Sequence, residues 1–142
     1  MSMKIIVLEG GSNTGKTTTM GVVFVALHMN GGKVNTFTPL VTPSGMDFEA
    51  VLDYPDPAGI KKDPLKVAMY SKGDIIADCN TAINKYLQQN VDVLIIAFSR
   101  KVRPLTYPPN NKPNIVPKTV ASSAISEVQE NAKDGYQIIS LI

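Results

Sequence analysis

The fold of this chain is decided near its beginning by the stretch Ile5-Ile6-Val7-Leu8-Glu9-Gly10-Gly11-Ser12-Asn13-Thr14-Gly15-Lys16-Thr17. Its first part, Ile5 to Leu8, is a continuous apolar run, which is typical of a strand buried on both faces. From Thr17 to Asn30 the apolar residues recur at the i, i+3, i+4, i+7 spacing of a helix. The stretch therefore predicts a buried strand, a glycine-rich turn and a helix in direct succession.

The turn between this strand and this helix fits the pattern G-x-x-x-x-G-K-[ST] from Gly10 to Thr17. Its glycines let the backbone bend sharply and let an anion approach without meeting a Cβ atom. Successive backbone N–H groups and the positive end of the helix dipole then favour phosphate at this place. The residues expected around the phosphates are Gly10, Gly11, Ser12, Asn13, Thr14, Gly15, Lys16, Thr17 and Thr18.

This turn is the Walker A motif, and through it the chain resembles the P-loop nucleoside triphosphatases over Met3 to Leu27. The resemblance implies that Lys16 bridges the β and γ phosphates as a catalytic residue and that Thr17 is a ligand of Mg²⁺. It also implies ATP as the nucleotide, with GTP less expected, and a three-layer α/β sandwich. The run Leu8-Glu9-Gly10 is similar to the opening of thymidylate-kinase-like proteins, whose later Asp-Arg signature is absent from this sequence.

Two further segments, Phe48 to Tyr54 and Lys66 to Ser71, have the apolar patterns of strands. The connection from Pro55 to Pro64 between them is rich in turn residues and has no helical period. Because a parallel pair needs a longer crossover, we expect an antiparallel hairpin with an enlarged loop.

Periodicity and turn residues also predict the remaining elements and the organisation of the chain. We expect a single domain over residues 1–142, with a mainly parallel sheet of about five strands, helices on both faces and the antiparallel hairpin. The remaining elements are a short strand at Lys33 to Thr38, a helix at Ile75 to Gln89, a buried strand at Val91 to Phe98, a helix from Val120 that stops near Gly135, and a final strand at Tyr136 to Leu141.

An acidic residue at the end of a neighbouring strand is expected to assist the metal in a P-loop enzyme. The strand Val91 to Phe98 ends without one, and Asp92 stands at its other end. Asp74 follows the strand Lys66 to Ser71, and would reach Mg²⁺ as a catalytic residue if that strand lies beside Ile5 to Leu8. The alternative is that Asp74 caps the helix that begins at Ile75, and both roles are compatible.

The only arginines of the chain, Arg100 and Arg103, follow the carboxyl end of the strand Val91 to Phe98. Ligands of open α/β sheets bind outside that edge, where the glycine-rich turn also lies. The guanidinium fork suits phosphate oxygens, so either arginine is a candidate catalytic residue that stabilises transferred charge. The alternative is a solvated basic turn.

A proline-rich loop is expected from Arg100 to Pro117. Within it, Leu105 to Lys118 is a candidate lid that closes over the phosphates, with Tyr107 stacking on a nucleotide base. The alternative is a connection that is only stiffened by its prolines.

Two short strings are similar to motifs of GTP-binding proteins. Asp56-Pro57-Ala58-Gly59 fits D-x-x-G, and Asn111-Lys112-Pro113-Asn114 is similar to N-K-x-D. The final Asn of the second string lacks the second acceptor oxygen that guanine requires, and both strings consist of common turn residues. We interpret both as turns.

The composition excludes several classes of function. A formal net charge of +2 leaves no broad basic surface for nucleic acid, and the apolar run from Val93 to Phe98 is too short to span a membrane. The apolar run at the beginning is too short for a signal peptide. The single cysteine, Cys79, rules out an internal disulfide framework and is expected in the core. A cytoplasmic protein is therefore expected.

These observations favour Mg-ATP binding and phosphoryl transfer to a small-molecule acceptor. One alternative is a nucleoside triphosphate switch or ATPase that acts on a protein partner, in which the loop from Pro55 to Pro64 reports the γ-phosphate. Another is a nucleotide-binding module without turnover.

Overall fold

The computed structural model describes residues 3–10, 15–41, 45–99, 105–108, 111–118 and 124–142. Within these ranges the chain forms six strands and three helices. In chain order they are β1 (Lys4–Gly10), α1 (Lys16–Met29), β2 (Lys33–Pro39), β3 (Phe48–Tyr54), β4 (Leu65–Tyr70), α2 (Ile76–Gln88), β5 (Val93–Ser99), β6 (Pro113–Pro117) and α3 (Ala124–Ser140).

The six strands form one mixed sheet in the order β2-β3-β4-β5-β1-β6. The strand β1 is central to its parallel part, pairing with β5 on one side and with β6 on the other. The strands β4 and β5 are also parallel, whereas β2, β3 and β4 pair antiparallel. The expected α/β class, the mainly parallel sheet and the antiparallel hairpin are confirmed, with six strands where about five were expected.

Helices cover both faces of the sheet because successive strand residues point to opposite sides. On one side Ile6 and Leu8 of β1 pack in a core cluster with α1 and with Ile138 of α3. On the other side Ile5 and Val7 pack with α2. All four side chains of β1 are inaccessible to solvent, as its unbroken apolar run predicts.

The predicted final strand at Tyr136 to Leu141 is wrong, because α3 continues through it to Ser140. In α3 the buried residues Asn131, Asp134 and Ile138 recur at helical spacing, and they hold this helix against the rest of the fold. Gly135 does not stop the helix. It lies against α1, where a Cβ atom would be 3.4 Å from Val22 Cγ1, an ordinary contact distance.

The predicted long loop from Arg100 to Pro117 is also wrong in part, because its end forms the strand β6. This strand lies at the edge of the sheet and pairs only with β1 among the described strands. Prolines are tolerated on an edge strand, where an absent N–H group need not interrupt the ladder. Pro113 and Pro117 stand at the two ends of β6.

None of the helices in the described ranges has the length and apolar character that crossing a bilayer requires.

Candidate functional site

The turn from β1 into α1 is described at its two ends, Gly10 and Gly15 to Thr18, while Gly11, Ser12, Asn13 and Thr14 lie outside the described residues. Gly15 stands at the N-cap of α1 with φ +88° and ψ +19°, a left-handed conformation that glycine adopts without strain. Within the described part of the chain, no side chain caps this helix end and no acidic residue lies in its first turn. No side chain of the described residues therefore satisfies the first N–H groups of α1 as a cap.

Lys16 is the first residue of α1 and is only 7% exposed. The following Thr17 is half-buried, and its hydroxyl donates a hydrogen bond of 2.9 Å to Oδ1 of Asp47. Thr18 is exposed on the next position of the helix. The lysine and threonine of the motif thus lie at the carboxyl edge of β1, with an acidic side chain directly against the threonine.

Asp47, which sequence reasoning missed, precedes β3 and is 8% exposed. Its Oδ1 accepts hydrogen bonds from Thr17 Oγ1 and, at 3.0 Å, from the hydroxyl of Ser71. The same hydroxyl accepts the backbone N–H of Phe48 at 2.8 Å. The antiparallel pairing of β3 with β4 brings the start of one strand beside the end of the other, and so places Asp47 and Ser71 together.

The role expected of Asp74 required β4 to lie beside β1, and in the sheet it does not. The strand β5 separates them, since α2 leads the chain from β4 directly into the neighbouring position. The Asp74 carboxylate accepts a hydrogen bond of 2.7 Å from the hydroxyl of Ser99, whose Cα is paired with that of Gly10. The alternative role as helix cap is not observed either, because Ile75 is the N-cap of α2, without a side-chain cap bond. Asp74 therefore remains at the carboxyl edge of the sheet, linked to the glycine-rich turn only through β5.

Arg100 and Arg103 lie outside the described residues. The last described residue before them is Ser99, which is buried at the end of β5. Their phosphate-binding role stays a prediction.

The predicted lid from Leu105 to Lys118 is wrong as a single unit. Leu105 is buried in the core on the α2 side, Thr106 N donates to Asn80 Oδ1 of α2 at 3.0 Å, and β6 belongs to the sheet. Tyr107 packs against the same core. Burial, with a smaller effect from the charge of Glu9, raises the pKa of its hydroxyl. These contacts hold residues 105–107 against α2.

The two strings similar to GTPase motifs lie at the opposite edge of the sheet. The Asp56 carboxylate accepts the N–H groups of Ala58 and Lys61, and these bonds lower its pKa. Lys61 also pairs at 3.6 Å with Asp92, which precedes β5. Asn111 donates to the carbonyl of Met3, before β1. The first string forms a turn, as expected, whereas the last two residues of the second, Pro113 and Asn114, belong to the strand β6.

A second group that sequence reasoning missed lies behind Gly15. The N–H of Lys118 donates to the Glu9 carbonyl at 2.7 Å, and its ammonium pairs with Asp134 at 3.1 Å. Asn131 Oδ1 accepts the hydroxyl of Thr19 at 3.1 Å and would lie 3.2 Å from a Cβ atom at Gly15. These side chains leave room for glycine at this turn. Two of these contacts, Thr19 with Asn131 and Lys118 with Glu9, join residues more than a hundred positions apart, which no sequence pattern indicates.

No family model, curated protein or solved structure matches this chain. In the described ranges no cluster of three or more His, Cys, Asp or Glu side chains could hold a metal ion by itself.

Proposed function

We propose that this chain binds a nucleoside triphosphate with Mg²⁺, ATP before GTP, at the carboxyl edge of β1, and transfers its γ-phosphoryl group to a small-molecule acceptor. The observation that carries the proposal is the contact between Thr17 and Asp47. It joins the hydroxyl of a Walker A motif to a buried carboxylate, directly after a left-handed glycine and a buried lysine. Hydroxyl and carboxylate oxygens are the ligand types that Mg²⁺ prefers.

The phosphates would bind along the turn from Gly10 to Thr18. The uncapped N–H groups at the start of α1 and the dipole of that helix favour an anion there. Lys16 supplies a positive charge at the first position of α1, where it can neutralise the β and γ phosphates. The φ of +88° at Gly15 supports this role, because it turns the chain sharply into the helix.

The residues present fit Mg²⁺ better than a metal that needs an all-protein site. Mg²⁺ is usually held by one or two carboxylates or hydroxyls together with phosphate oxygens and water, so a larger acidic cluster is unnecessary. Thr17 can offer a lone pair to the ion while its O–H goes on donating to Asp47. When bound, the ion neutralises charge on the transferred group. Asp74 is proposed as a second acidic residue of the site, which acts through its hydrogen bond with Ser99 at the end of β5.

The position of the loop from Pro55 to Pro64 favours transfer over the switch alternative. The ion pair of Lys61 with Asp92 ties this loop to the amino ends of the strands, at the far edge from Gly10. The loop is therefore badly placed to report a γ-phosphate. Binding without turnover stays the second candidate, since β5 separates the strand that leads to Asp74 from β1.

Nucleotide binding is tested by the thermal shift of the purified chain with ATP, GTP and ADP, each with and without Mg²⁺. We expect Lys16→Ala to lose the stabilisation by ATP, and Asp47→Asn to lose mainly its dependence on Mg²⁺. Lys62→Ala is the matched control, because it removes an exposed lysine from the loop at the opposite edge. An equal ATP shift in Lys16→Ala and wild type would refute the binding site.

Turnover is tested separately by release of ADP and of inorganic phosphate under saturating Mg-ATP. We expect Arg100→Ala or Arg103→Ala to slow turnover while ATP still raises the unfolding temperature. Unchanged rates in both variants would remove these arginines from the mechanism. Tight binding with no product from wild type, in the presence of any acceptor tried, would favour the module without turnover.

A further inference from the structure

The strand β3 has one face that no described helix covers fully. Its residues alternate, with Phe48, Ala50, Leu52 and Tyr54 buried on the α1 side and Glu49, Val51 and Asp53 only partly buried on the other. The helix α2 packs on β4 and β5 and reaches β3 only with its edge. A groove therefore runs between the exposed floor of β2 and β3 and the side of α2; we call it the α2 groove.

The α2 groove is lined by polar and apolar side chains together. One cavity of about 360 Å³ lies over β2 and β3, and a second of about 190 Å³ shares Glu49 and Lys85 with it. The second cavity extends to Leu40 and Tyr70, which lie at the carboxyl ends of β2 and β4. The polar lining of the larger cavity includes Thr36, Thr38, Glu49, Lys66, Lys85 and Tyr86.

Glu49 is the fixed carboxylate at the centre of this groove. Its Oε2 accepts the hydroxyl of Tyr86 at 2.7 Å, and its Oε1 lies 3.2 Å from the ammonium of Lys85. Its side chain is 20% exposed, so an oxygen lone pair remains within reach of a ligand. A carboxylate held in this way recognises a hydroxyl or ammonium hydrogen.

Two lysines give the groove a direction. Lys85 lies beside Glu49. Lys66 lies on β4 opposite Asp53 in the strand register, and Asp53 is four residues beyond Glu49 along β3, away from the carboxyl edge. Four residues of strand span about 13 Å, the length of a small metabolite. An anionic group at Lys66 would direct the other end of a ligand past Glu49 towards Leu40 and Tyr70.

The groove also opens close to the proposed phosphate site. Glu49 is two residues from Asp47, which corresponds to about 7 Å along an extended chain. Asp47 holds the hydroxyl of Thr17, and Ser71, directly after Tyr70, holds Asp47. The mouth of the α2 groove is thus at the same edge of the sheet as the glycine-rich turn.

We infer that the α2 groove is the acceptor site, and that it takes a small carboxylate bearing a hydroxyl group. This inference rests on the proposed function. The carboxylate binds at Lys66, and Glu49, with Lys85 beside it, orients the hydroxyl groups so that the reacting one lies at the mouth. In the transfer, this hydroxyl oxygen forms a bond to the γ-phosphorus and the bond from that phosphorus to the β–γ bridging oxygen breaks. Nucleoside diphosphate leaves, and the hydroxyl proton is released to water.

Groove binding is tested without nucleotide, by amide chemical shifts of the isotope-labelled full chain titrated with glycerate, gluconate and homoserine. Glycerol and sorbitol are the neutral counterparts. We expect at least one of the anionic probes to move the amide signals of Thr36, Thr38 and Gln89, with Val128 and Tyr136 of α3 unmoved. The neutral counterparts should bind at least about tenfold more weakly, because they lack the charge for the lysines.

Variants then test the assigned residues. Glu49→Gln and Lys85→Met should each weaken probe binding about tenfold or more, and Tyr86→Phe, which retains the ring, should weaken it less. Glu127→Gln, an exposed change on α3, is the matched control and should bind as wild type. The probe that binds should raise ADP release from Mg-ATP in wild type and not in Glu49→Gln.

The outcomes separate the two proposals. If no probe moves the groove amides while ATP binding still depends on Lys16, the acceptor site is wrong and the nucleotide proposal stands. If a probe binds the groove but ATP fails to bind, the nucleotide proposal and the acceptor role fall together. If a probe binds the groove and ADP release does not change, the groove is not the acceptor site.

Discussion

Lys118 and Asp134 form an ion pair whose side chains are 1% and 2% exposed. Two charges so far from water are costly to desolvate, and each depends strongly on its partner. The pair joins the end of β6 to α3 behind Gly15, so its stability affects the place where phosphates are proposed to bind.

We expect Lys118→Ala to lower the free energy of unfolding by about 3–5 kcal/mol, because it leaves the Asp134 charge buried without this lysine. The double variant Lys118→Met, Asp134→Leu removes both charges and should lose much less. Urea unfolding of the single and double variants measures the coupling. A double variant that is less stable than Lys118→Ala would contradict this account of the pair.

Cys79 is buried on α2, as predicted from its position on an apolar stripe, and its thiol donates weakly to the Lys72 carbonyl at 3.7 Å. Burial, with smaller effects from Asp78 and Asp74, raises the pKa of the thiol from 9.0 to about 12. Between these values the unfolded chain loses the proton and the folded chain keeps it. Stability is therefore unaffected below about pH 9 and falls as the pH rises from there towards 12.

This sign predicts a difference between Cys79→Ala and wild type. The variant should be less stable at neutral pH, because it opens a cavity, but should lose less stability between about pH 8 and about pH 10.5. Tyr70, whose pKa is raised to about 12 by burial and less strongly by neighbouring charges, is present in both proteins. Urea unfolding of wild type and Cys79→Ala at both pH values tests this difference. Equal losses of stability in the two proteins would show that the thiol is not responsible.

At the level of residues, the sequence predicts the motif but not its partners. Lys16 and Thr17 belong to one short pattern that carries its own chemistry. Asp47 meets Thr17 across 30 positions, and Asn131 meets Thr19 across 112. These contacts depend on which strands are neighbours, and periodicity does not determine that. For the same reason the sequence left open whether the strand before Asp74 lies beside β1, and the structure places β5 between them.

At the level of elements, the turn between β4 and α2 requires a glycine. The N–H of Ser99 donates to the Gly73 carbonyl at 2.9 Å, so this turn lies directly against the end of β5. A Cβ atom at Gly73 would lie 2.5 Å from the carbonyl oxygen of Ala97, a backbone atom that cannot move aside cheaply. Gly21, inside α1, has open space instead.

We expect Gly73→Ala to destabilise the protein by about 1–3 kcal/mol through overpacking. Gly21→Ala should stabilise it by about 0.5–1 kcal/mol, because alanine restricts the unfolded chain and favours the helix. Thermal unfolding of the two matched variants checks both signs. If Gly73→Ala leaves the free energy of unfolding unchanged, β5 tolerates displacement, and the position of Asp74 next to this turn can shift too.

Elements with strong periodicity were predicted well and those with mixed signals were not. The apolar stripe predicted α2 within one residue at each end, and the unbroken apolar run predicted β5. For β6 the prolines suggested a loop, although an edge strand tolerates them. For the end of α3 a glycine and a short apolar run suggested a strand. The segment is held as a helix by packing, with Ile138 buried in the core cluster that includes α1, and such packing is not visible in local pattern.

At the level of the whole molecule, one sheet separates two core clusters, and β1 contributes to both. The strands β1 and β5 are paired on both sides and almost wholly buried, whereas β2 is paired on one side only and nearly all its residues are exposed. Local opening is easiest where burial is least.

Hydrogen exchange followed by mass spectrometry should therefore show the slowest amides in β1 and β5, opening only with global unfolding. The amides of β2 and of residues 55–64 should exchange much earlier. Exchange of β2 as slow as that of β1 would mean that something covers this strand in solution.

The edge strand β2 has one more property of consequence. Its pairing register with β3 shifts between Val34 and Thr36, so Asn35 interrupts the regular ladder, and the strand ends at Pro39. A flat edge with free N–H and C=O groups recruits strands of other molecules and seeds fibrils. Here an incoming strand would lose its hydrogen bonds at the irregularity and again at the proline. The interruption thus protects crowded solutions of this protein from aggregation through that edge.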